Sequence, residues 1–588
     1  MFSSLYKLFS FLNGDRAKEY AYFIWNKARF SSWDKFDELS LWYAQEMKKI
    51  GLEEVELIKL PADGKTSFGG ILMPKRWEVK EAQLKIISPY EKVLSNFKDC
   101  PCSLMTYSAS TPSEGIISEL VSQKSKNIKG KVVFGSIKGK LSCDELINKG
   151  AIGIISDKVE RYEKDKVALK EAVQWHNYSL NPFKGSPIFG FSLSPLQGEK
   201  IRKLINQHKK IKIYANVQTK TYSGRFLLPT GLIPGKTSLE VVLTGHLFEQ
   251  GANDNASGCG LSLEIMRYIK ELIERGKIPR PYRGIRLLPS LEVRGMQAYI
   301  YKYKSRIPLM VAGLDLDMVG EEEQLLHLCK SPVANSAYTD YLIEDLLNKF
   351  YKDKNSLWVT KSYDINDNLL SDPFINAPTP VLEFADDIYW HTSLDTPEKV
   401  YSQTLKKIGI VAASYLYFIA NAGYKEAKWM IDLIDKKMQI EKYTPYKLHT
   451  TLYSVSRLIP NKIEQEKLRK YIEKVEKSLL KGAIIEPLEE IPENLKKKAN
   501  KLYPMKNFLG FVGFDDLDQN QSLEYKRITG EKPGWISSRN INSALFYSNG
   551  KRSLLQILQL LREEERFDLK KFMELFQFLE RQGLVLMR

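Results

Sequence analysis

The chain has 588 residues, 43% of them hydrophobic and 27% charged, with a formal net charge of +17. At about 100–200 residues per domain, that is material for three to five units with ordinary cores. No run reaches the roughly 18–20 apolar residues of a membrane helix, so no span is expected. The lysines are interspersed with Asp and Glu, and there is no arginine-rich block or aromatic-basic motif. They read as a solvated surface, and nucleic acid is not an expected partner. Five cysteines (Cys100, Cys102, Cys143, Cys259 and Cys329) form neither a disulfide framework nor a CxxC zinc motif, which fits a reducing, cytoplasmic setting. The opening "MFSSLYKLFSFLNGD" is interrupted by Lys7 and lacks a cationic leader and a small-residue cleavage site, so no signal peptide is expected.

In chain order, residues 1–75 read as helices followed by a strand. "WDKFDELSLWYAQEMKKIG" has near-helical apolar spacing and closes on Gly51, and "LEEVELIKLP" alternates. Over 76–218 the texture changes to short β-branched runs, "KGKVVFGSI" and "KGAIGIISD", with "SCDELINKG" between them as a helix; this is expected to be a small inserted α/β unit. Residues 219–425 alternate strand and helix. "LEVVLTG" precedes "GCGLSLEIMRYIKELIERG", "RGIRLLPSLE" precedes "RGMQAYIYKYK", then come "LMVAGLDLDMVG" and "TPVLEFA", and "VYSQTLKKIGIVAASYLYFIANAG" closes the unit. Such alternation predicts an α/β fold with a mostly parallel central sheet, helices on both faces and chemistry at the strand ends. Residues 426–528 are a charged helical connector. Residues 529–588 give two amphipathic helices around "SNGKRS" and a final "GLVLM" strand, the order of a winged helix-turn-helix.

Four short stretches in the central unit carry chemistry. "GHLFEQGANDNASG" places His246 at a strand end and Asp254 in a turn entering a helix, among small residues that let backbone approach closely. "DLDMVG" puts Asp315 and Asp317 on one face of a strand end. "LPSLEVRG" ends an apolar strand with Glu292, a carboxylate that is costly there unless paired or catalytic. "WHTSLDTPEKV" holds His391, with Asp395 four residues on, placed to cap the following helix or to orient the imidazole. His176, His208, His327 and His449 lie outside any ligand-spaced pattern and read as surface or packed residues.

The order and context of "GANDNASG", "LEVRG", "DMVG" and "WHTSLDTPEKV" resemble the co-catalytic zinc aminopeptidases of metallopeptidase family twenty-eight, over about 219–425 with 33–60 as first elements. Residues 76–218 resemble the protease-associated insert of such enzymes. The tail resembles the winged helix of a bacterial branch of aminopeptidase-like proteins. The resemblance implies His246 and Asp317 as ligands of one zinc, Asp254 as the shared carboxylate, His391 as a ligand of a second zinc and Glu292 as general base. Two positions depart from the pattern. Val293 stands where the family has the second metal's acidic ligand, and Phe248 stands where it has an Asp that orients the first His. One tight zinc is therefore expected and a second, weaker one, unless Asp315 or Glu249 supplies the missing ligand.

The implied activity is zinc-dependent hydrolysis of N-terminal residues from peptides. Against it stand a degenerate peptidase that serves as a peptide- or protein-binding module, for which Val293 argues, and a winged-helix regulator. The tail mixes "REEER" with its lysines, which suits a protein or leader-peptide partner better than DNA. A homo-oligomer is compatible with this reading.

Overall fold

The computed structural model describes the chain except residues 1, 138–139, 176–179, 208–209, 323–324, 485–490, 535 and 563–566. His176, His208 and the acidic residues of "REEER" lie outside the described residues. Two large sheets organise the rest. The central sheet has eight strands: β1 (Glu53–Ala62), β2 (Gly224–Ile233), β3 (Glu240–His246), β4 (Gly284–Ser290), β5 (Met310–Asp317), β6 (Leu326–Cys329), β7 (Trp358–Lys361) and β8 (Val381–Glu383). Their order is β1-β2-β4-β3-β5-β8-β6-β7. The middle, β4-β3-β5-β8, is parallel, while β1/β2, β2/β4 and β8/β6 are antiparallel. Every residue of β3, β4 and β5 is buried, as expected of parallel strands covered on both faces.

Helices α1 (Gly14–Ala28), α2 (Trp33–Ile50), α3 (Ala256–Glu274), α4 (Arg294–Lys302) and α5 (Ser402–Asn421) flank this sheet. α2 ends on Gly51 in the left-handed conformation, φ 85°, which a glycine adopts without strain. α3 is buried along most of its length, as expected of a helix wedged between the sheet and other helices.

The second sheet has seven strands drawn from Arg76–Tyr222, in the order Lys92–Asn96, Arg76–Ser88, Ile211–Tyr222, Ile116–Ser122, Val132–Gly135, Gly153–Ser156, Phe189–Ser192. Its last four strands are parallel, and the two long strands Arg76–Ser88 and Ile211–Tyr222 pair antiparallel.

Beyond α5 the chain is helical until a three-residue strand, Pro504–Lys506, which pairs antiparallel with the terminal strand Val585–Met587. That partner is too short to leave a periodic signal, so the tail sequence alone does not disclose it. Helices Arg539–Tyr547, Leu554–Leu561 and Leu569–Arg581 lie between the two strands in sequence. This C-terminal part packs directly on the central unit. The hairpin Ser67–Leu72 meets it through Gly513 N–H donating to Gly69 O (2.9 Å). The Gln297 amide of α4 donates to Leu509 O (2.8 Å) and accepts from Phe511 N (3.2 Å). Arg294 reaches Leu72 O and, at 2.8 Å, Asp515. Lys506 and Asp372, both fully buried, pair at 2.8 Å, and Gly510 N–H donates to the same carboxylate at 2.8 Å. Among the described residues, no helix is long and apolar enough to cross a membrane.

Candidate metal centre

The register of β3, β4 and β5 brings the chemistry together. His246 is the last residue of β3 and pairs with Ser290 at the end of β4; Thr244, two residues earlier, pairs with Asp315 of β5. His246, the turn after β4 and Asp317 therefore emerge side by side at the carboxyl ends of neighbouring parallel strands. There the chain leaves the sheet and side chains are free to converge.

Asp254 reaches this edge from the loop before α3. The Asp395 carboxylate accepts from Asn253 N (2.7 Å) and Asp254 N (3.0 Å), and Asn253 Nδ2 donates to Asp387 (3.0 Å). Asp395 thus holds the Asp254 loop, a different task from the capping or imidazole-orienting role expected of it. A Cβ at Gly251 would lie 2.0 Å from an Asp395 oxygen, so only glycine admits the grip. On the other side of the loop, Asn255 caps α3 through Gly258 N (3.1 Å) and donates to Leu316 O (2.9 Å). A Cβ at Gly258 would sit 2.1 Å from that same Leu316 oxygen, which explains the small residues at this helix start.

The two Asp254 oxygens face two imidazoles. Oδ1 is 2.9 Å from His246 Nε2, and Oδ2 is 3.2 Å from His391 Nε2. Asp317 Oδ1 is 3.7 Å from His246 Nε2, and its Oδ2 accepts from Asn366 Nδ2 at 2.7 Å. His246, Asp254 and Asp317 each offer a ligand atom within 4.8 Å of the others, and all three residues are buried. Asp317 Oδ1 is buried without a hydrogen-bond partner. A buried carboxylate oxygen with no donor, facing an imidazole and a second carboxylate, is the chemistry that a divalent cation such as zinc satisfies.

The electrostatics point the same way. Burial alone would pull the His246 imidazole down, but Asp317, Asp254 and Asp367 outweigh it and hold it well above its ordinary range. Burial raises Asp254 in its turn, yet its contacts with His246 and His391 bring it below the usual carboxylate range. Burial first, and neighbouring carboxylates second, push Asp315 well above that range. The cluster gathers more carboxyl groups than its two histidines can pair, and burial with neighbouring carboxylates raises Asp317 as well.

Glu292 lies in the turn between β4 and α4, half-buried. Burial raises its carboxyl, and the charges of His246, Asp367, Asp254 and His391 all act on it, which places it within electrostatic reach of the cluster. Glu249 is raised by burial, then by Asp254 and Glu292. Asp315 sits two residues below Asp317 with both oxygens buried and unpartnered, and it does not join the three-residue group. His327, 3.5 Å from Asp386, and His449, 2.8 Å from Glu476, stay outside it as well.

Phe248 turns away from the role that the resemblance would give its position. Its ring packs edge-on against Phe36 (5.0 Å) and Phe226 (4.9 Å). The carboxylate beside His246 Nδ1 is Asp367, at 3.3 Å. Its other oxygen accepts from Val293 N at 2.8 Å. Sequence reasoning missed Asp367, because "SYDINDNLL" has the composition of any Asn/Asp turn and no spacing to a second ligand.

The segment between strands Gly153–Ser156 and Phe189–Ser192 of the second sheet reaches the same site. Trp175 N donates to His391 O (3.0 Å), Ser393 N to Val173 O (2.8 Å) and Val173 N to Ser393 Oγ (3.0 Å). His391 is sandwiched, with Trp390 stacked at 3.6 Å and Trp175 at 5.1 Å between ring centroids. Arg161 donates to the backbone of Asp387 and Ala385. A cavity of about 330 Å³ opens here. Trp33, Phe36, Tyr107, Trp175, Phe248 and Trp390 line it with aromatic rings, and Glu160, Glu249, Glu292, Arg294 and His391 are its ionisable groups.

An α/β domain with imidazoles and carboxylates converging at parallel strand ends, beside a deep cavity, has the architecture of a hydrolytic enzyme. Residues 230–416 match the family model described as Peptidase family M28, and the domain they form belongs to that peptidase family. Solved structures similar to the chain include BSAP, a zinc aminopeptidase from Bacillus subtilis (17% identity, 69% of this chain and 95% of that one, TM-score 0.49). They also include a putative peptidase from Clostridium acetobutylicum (13% identity, 98% of both chains, TM-score 0.48). A third is an aminopeptidase from Aneurinibacillus sp. strain AM-1 (16% identity, 72% of this chain and 96% of that one, TM-score 0.46). No curated protein matches the chain.

Proposed function

We propose that the protein is a zinc-dependent aminopeptidase that removes N-terminal residues from peptides. The observation that carries this reading is the convergence of His246, Asp254 and Asp317, with an unpartnered Asp317 oxygen, at the edge of a cavity that Glu292 lines. These three residues would hold one zinc tightly. Asp254 Oδ2 and His391, without a carboxylate at position 293, would hold a second more weakly. Zinc supplies Lewis-acid polarisation of a carbonyl and acidifies water.

The chain's own groups do the rest. Glu292 takes the proton of the attacking water and returns it to the leaving amine; burial raises its carboxyl, which favours accepting that proton. Glu160 gives the cavity a carboxylate to meet the substrate's α-ammonium group. The aromatic walls receive its first side chain. A cavity of this size sits at the low end of the roughly 300–1,000 Å³ range of ligand pockets. The unit around Arg76–Tyr222 acts as a protease-associated-like insert, and the C-terminal helices and strands as a winged-helix-like unit docked on the enzyme. We place the enzyme in a reducing, cytoplasmic setting, which the spacing of its five cysteines fits.

The test is metal analysis of the purified protein, with turnover on a panel of aminoacyl amides and their N-acetylated counterparts. Zinc with hydrolysis of only the free-amine substrates is expected. Zinc-loaded protein that binds peptides without cleaving them would favour the degenerate binding module, for which Val293 is the motivating residue.

A further inference from the structure

We propose that Asp367 is the positioning residue of this site: one carboxylate that fixes the zinc-facing form of His246 and also pins the turn that presents Glu292. The inference rests on the zinc-peptidase reading above, and its evidence is the contact pattern of a single loop.

Asp367 is completely buried. Its Oδ2 lies 3.3 Å from His246 Nδ1, the ring nitrogen opposite the one that faces Asp254 and Asp317. The approach is a charge contact not fully aligned as a hydrogen bond. Neither atom has another hydrogen-bond partner, and both are buried. An imidazole that gives Nε2 to a metal has to carry its proton on Nδ1, and a carboxylate on that side selects this tautomer and fixes the ring plane. The position to which the family pattern gives this task holds Phe248, whose side chain has no acceptor and packs with Phe36 and Phe226.

The other oxygen does different work. Oδ1 accepts from Val293 N at 2.8 Å. Val293 has φ 54° and ψ −50°, a region that a β-branched residue enters only when its surroundings hold it there. It directly follows Glu292, so the hold on its N–H sets where the Glu292 turn lies. The adjacent residue completes the arrangement: Asn366 Nδ2 donates to Asp317 Oδ2 at 2.7 Å, and Asn366 Oδ1 accepts from Asp367 N at 2.8 Å. Two consecutive residues thus touch two candidate ligands and the turn that carries the candidate base.

Asp367→Asn separates positioning from folding. The amide oxygen still accepts from Val293 N–H, but the NH₂ group now faces His246 Nδ1 and favours the tautomer protonated on Nε2. Full-length parent and variant are titrated with zinc against a chromogenic chelator, and kcat and KM are measured on an aminoacyl amide. The expected result is a zinc affinity lower by roughly 10–100-fold, with kcat reduced, KM little changed and Tm close to the parent's. Should the asparagine variant fail to fold, Asp367→Ser, which leaves room for a water, is measured in the same way. Zinc affinity and kcat within twofold of the parent would overturn the role of Asp367 and leave the peptidase reading standing. A parent that binds no zinc would overturn both.

Discussion

The two imidazoles of the site are held by different kinds of structure. His246 ends a central strand, its neighbours on both sides are strands in parallel register, and Asp317 ends the next strand over. His391 lies in a loop, at φ 58°: Trp175 N donates to its carbonyl, Val173 bonds Ser393 two residues on, and two indole rings pack against its imidazole. The first half of the site comes with the fold of the central unit. The second half exists only when another unit docks. The lesson is that ligand affinity on the His246 side should follow the chemistry of single side chains, whereas affinity on the His391 side should follow the integrity of an interface.

The largest effect is expected where the halves meet. Asp254→Asn removes the carboxylate that both imidazoles share, and zinc content and hydrolysis should fall to background; a variant retaining a full equivalent of zinc would show that the halves bind independently. Next comes Glu292→Gln, which should keep zinc but lower kcat by roughly 100–10,000-fold, since that is what a general base contributes. Unchanged turnover would remove Glu292 from the chemistry. Trp175→Ala tests the docked half. We expect an activity loss of about tenfold, in the range of changes to groups that support a ligand, with the tighter zinc unaffected in a chelator titration. If the tighter ion loosened instead, the division between strand-held and interface-held halves would be wrong. Lys506→Ala probes the C-terminal dock. Leaving Asp372 buried and unpaired should cost roughly 3–5 kcal/mol in denaturant unfolding, without changing kcat per folded molecule.

The smallest effect is a pH slope on the His391 side. Glu321 is pushed up to about 8, by burial first and then by Asp387, against the pull of Lys399. Asp387 in turn holds Asn253 of the Asp254 loop. Between the ordinary glutamate range and about pH 8, folded protein keeps a proton on Glu321 that unfolded chain has released. Its contribution to stability is therefore fully present at acid pH and declines as pH rises through that window. Glu321→Gln should flatten the fall of Tm between pH 5 and pH 8. An equal fall in parent and variant would assign the slope to other groups.

How much of this the sequence discloses follows from where each residue sits. His246, Glu292 and Asp317 are legible because they end apolar runs, where a polar residue is costly without a function. Asp254 is legible because glycine and asparagine crowd it. Asp367 and Asn366 are illegible: they lie in a polar loop, and their partners are more than 40 positions away in sequence. Asp395 looked like a cap because it precedes a helix, and only the three-dimensional approach of the loop 252–254 reveals its task. The partner of the terminal strand, three residues at Pro504–Lys506, has no periodicity to read.

The seating of α4 against residues 509–515 has a consequence for how the protein comes into being. The turn carrying Glu292 leads straight into α4, and α4 leans on a segment encoded more than two hundred positions later. As the chain emerges from the ribosome, the ligand-bearing strands are made long before their last support. A nascent chain stalled ahead of Pro504 would hold the candidate ligands yet lack the surface that steadies the turn of Glu292. On the proposed function, synthesis itself would act as a timer, completing the site only when the far end of the polypeptide has folded back.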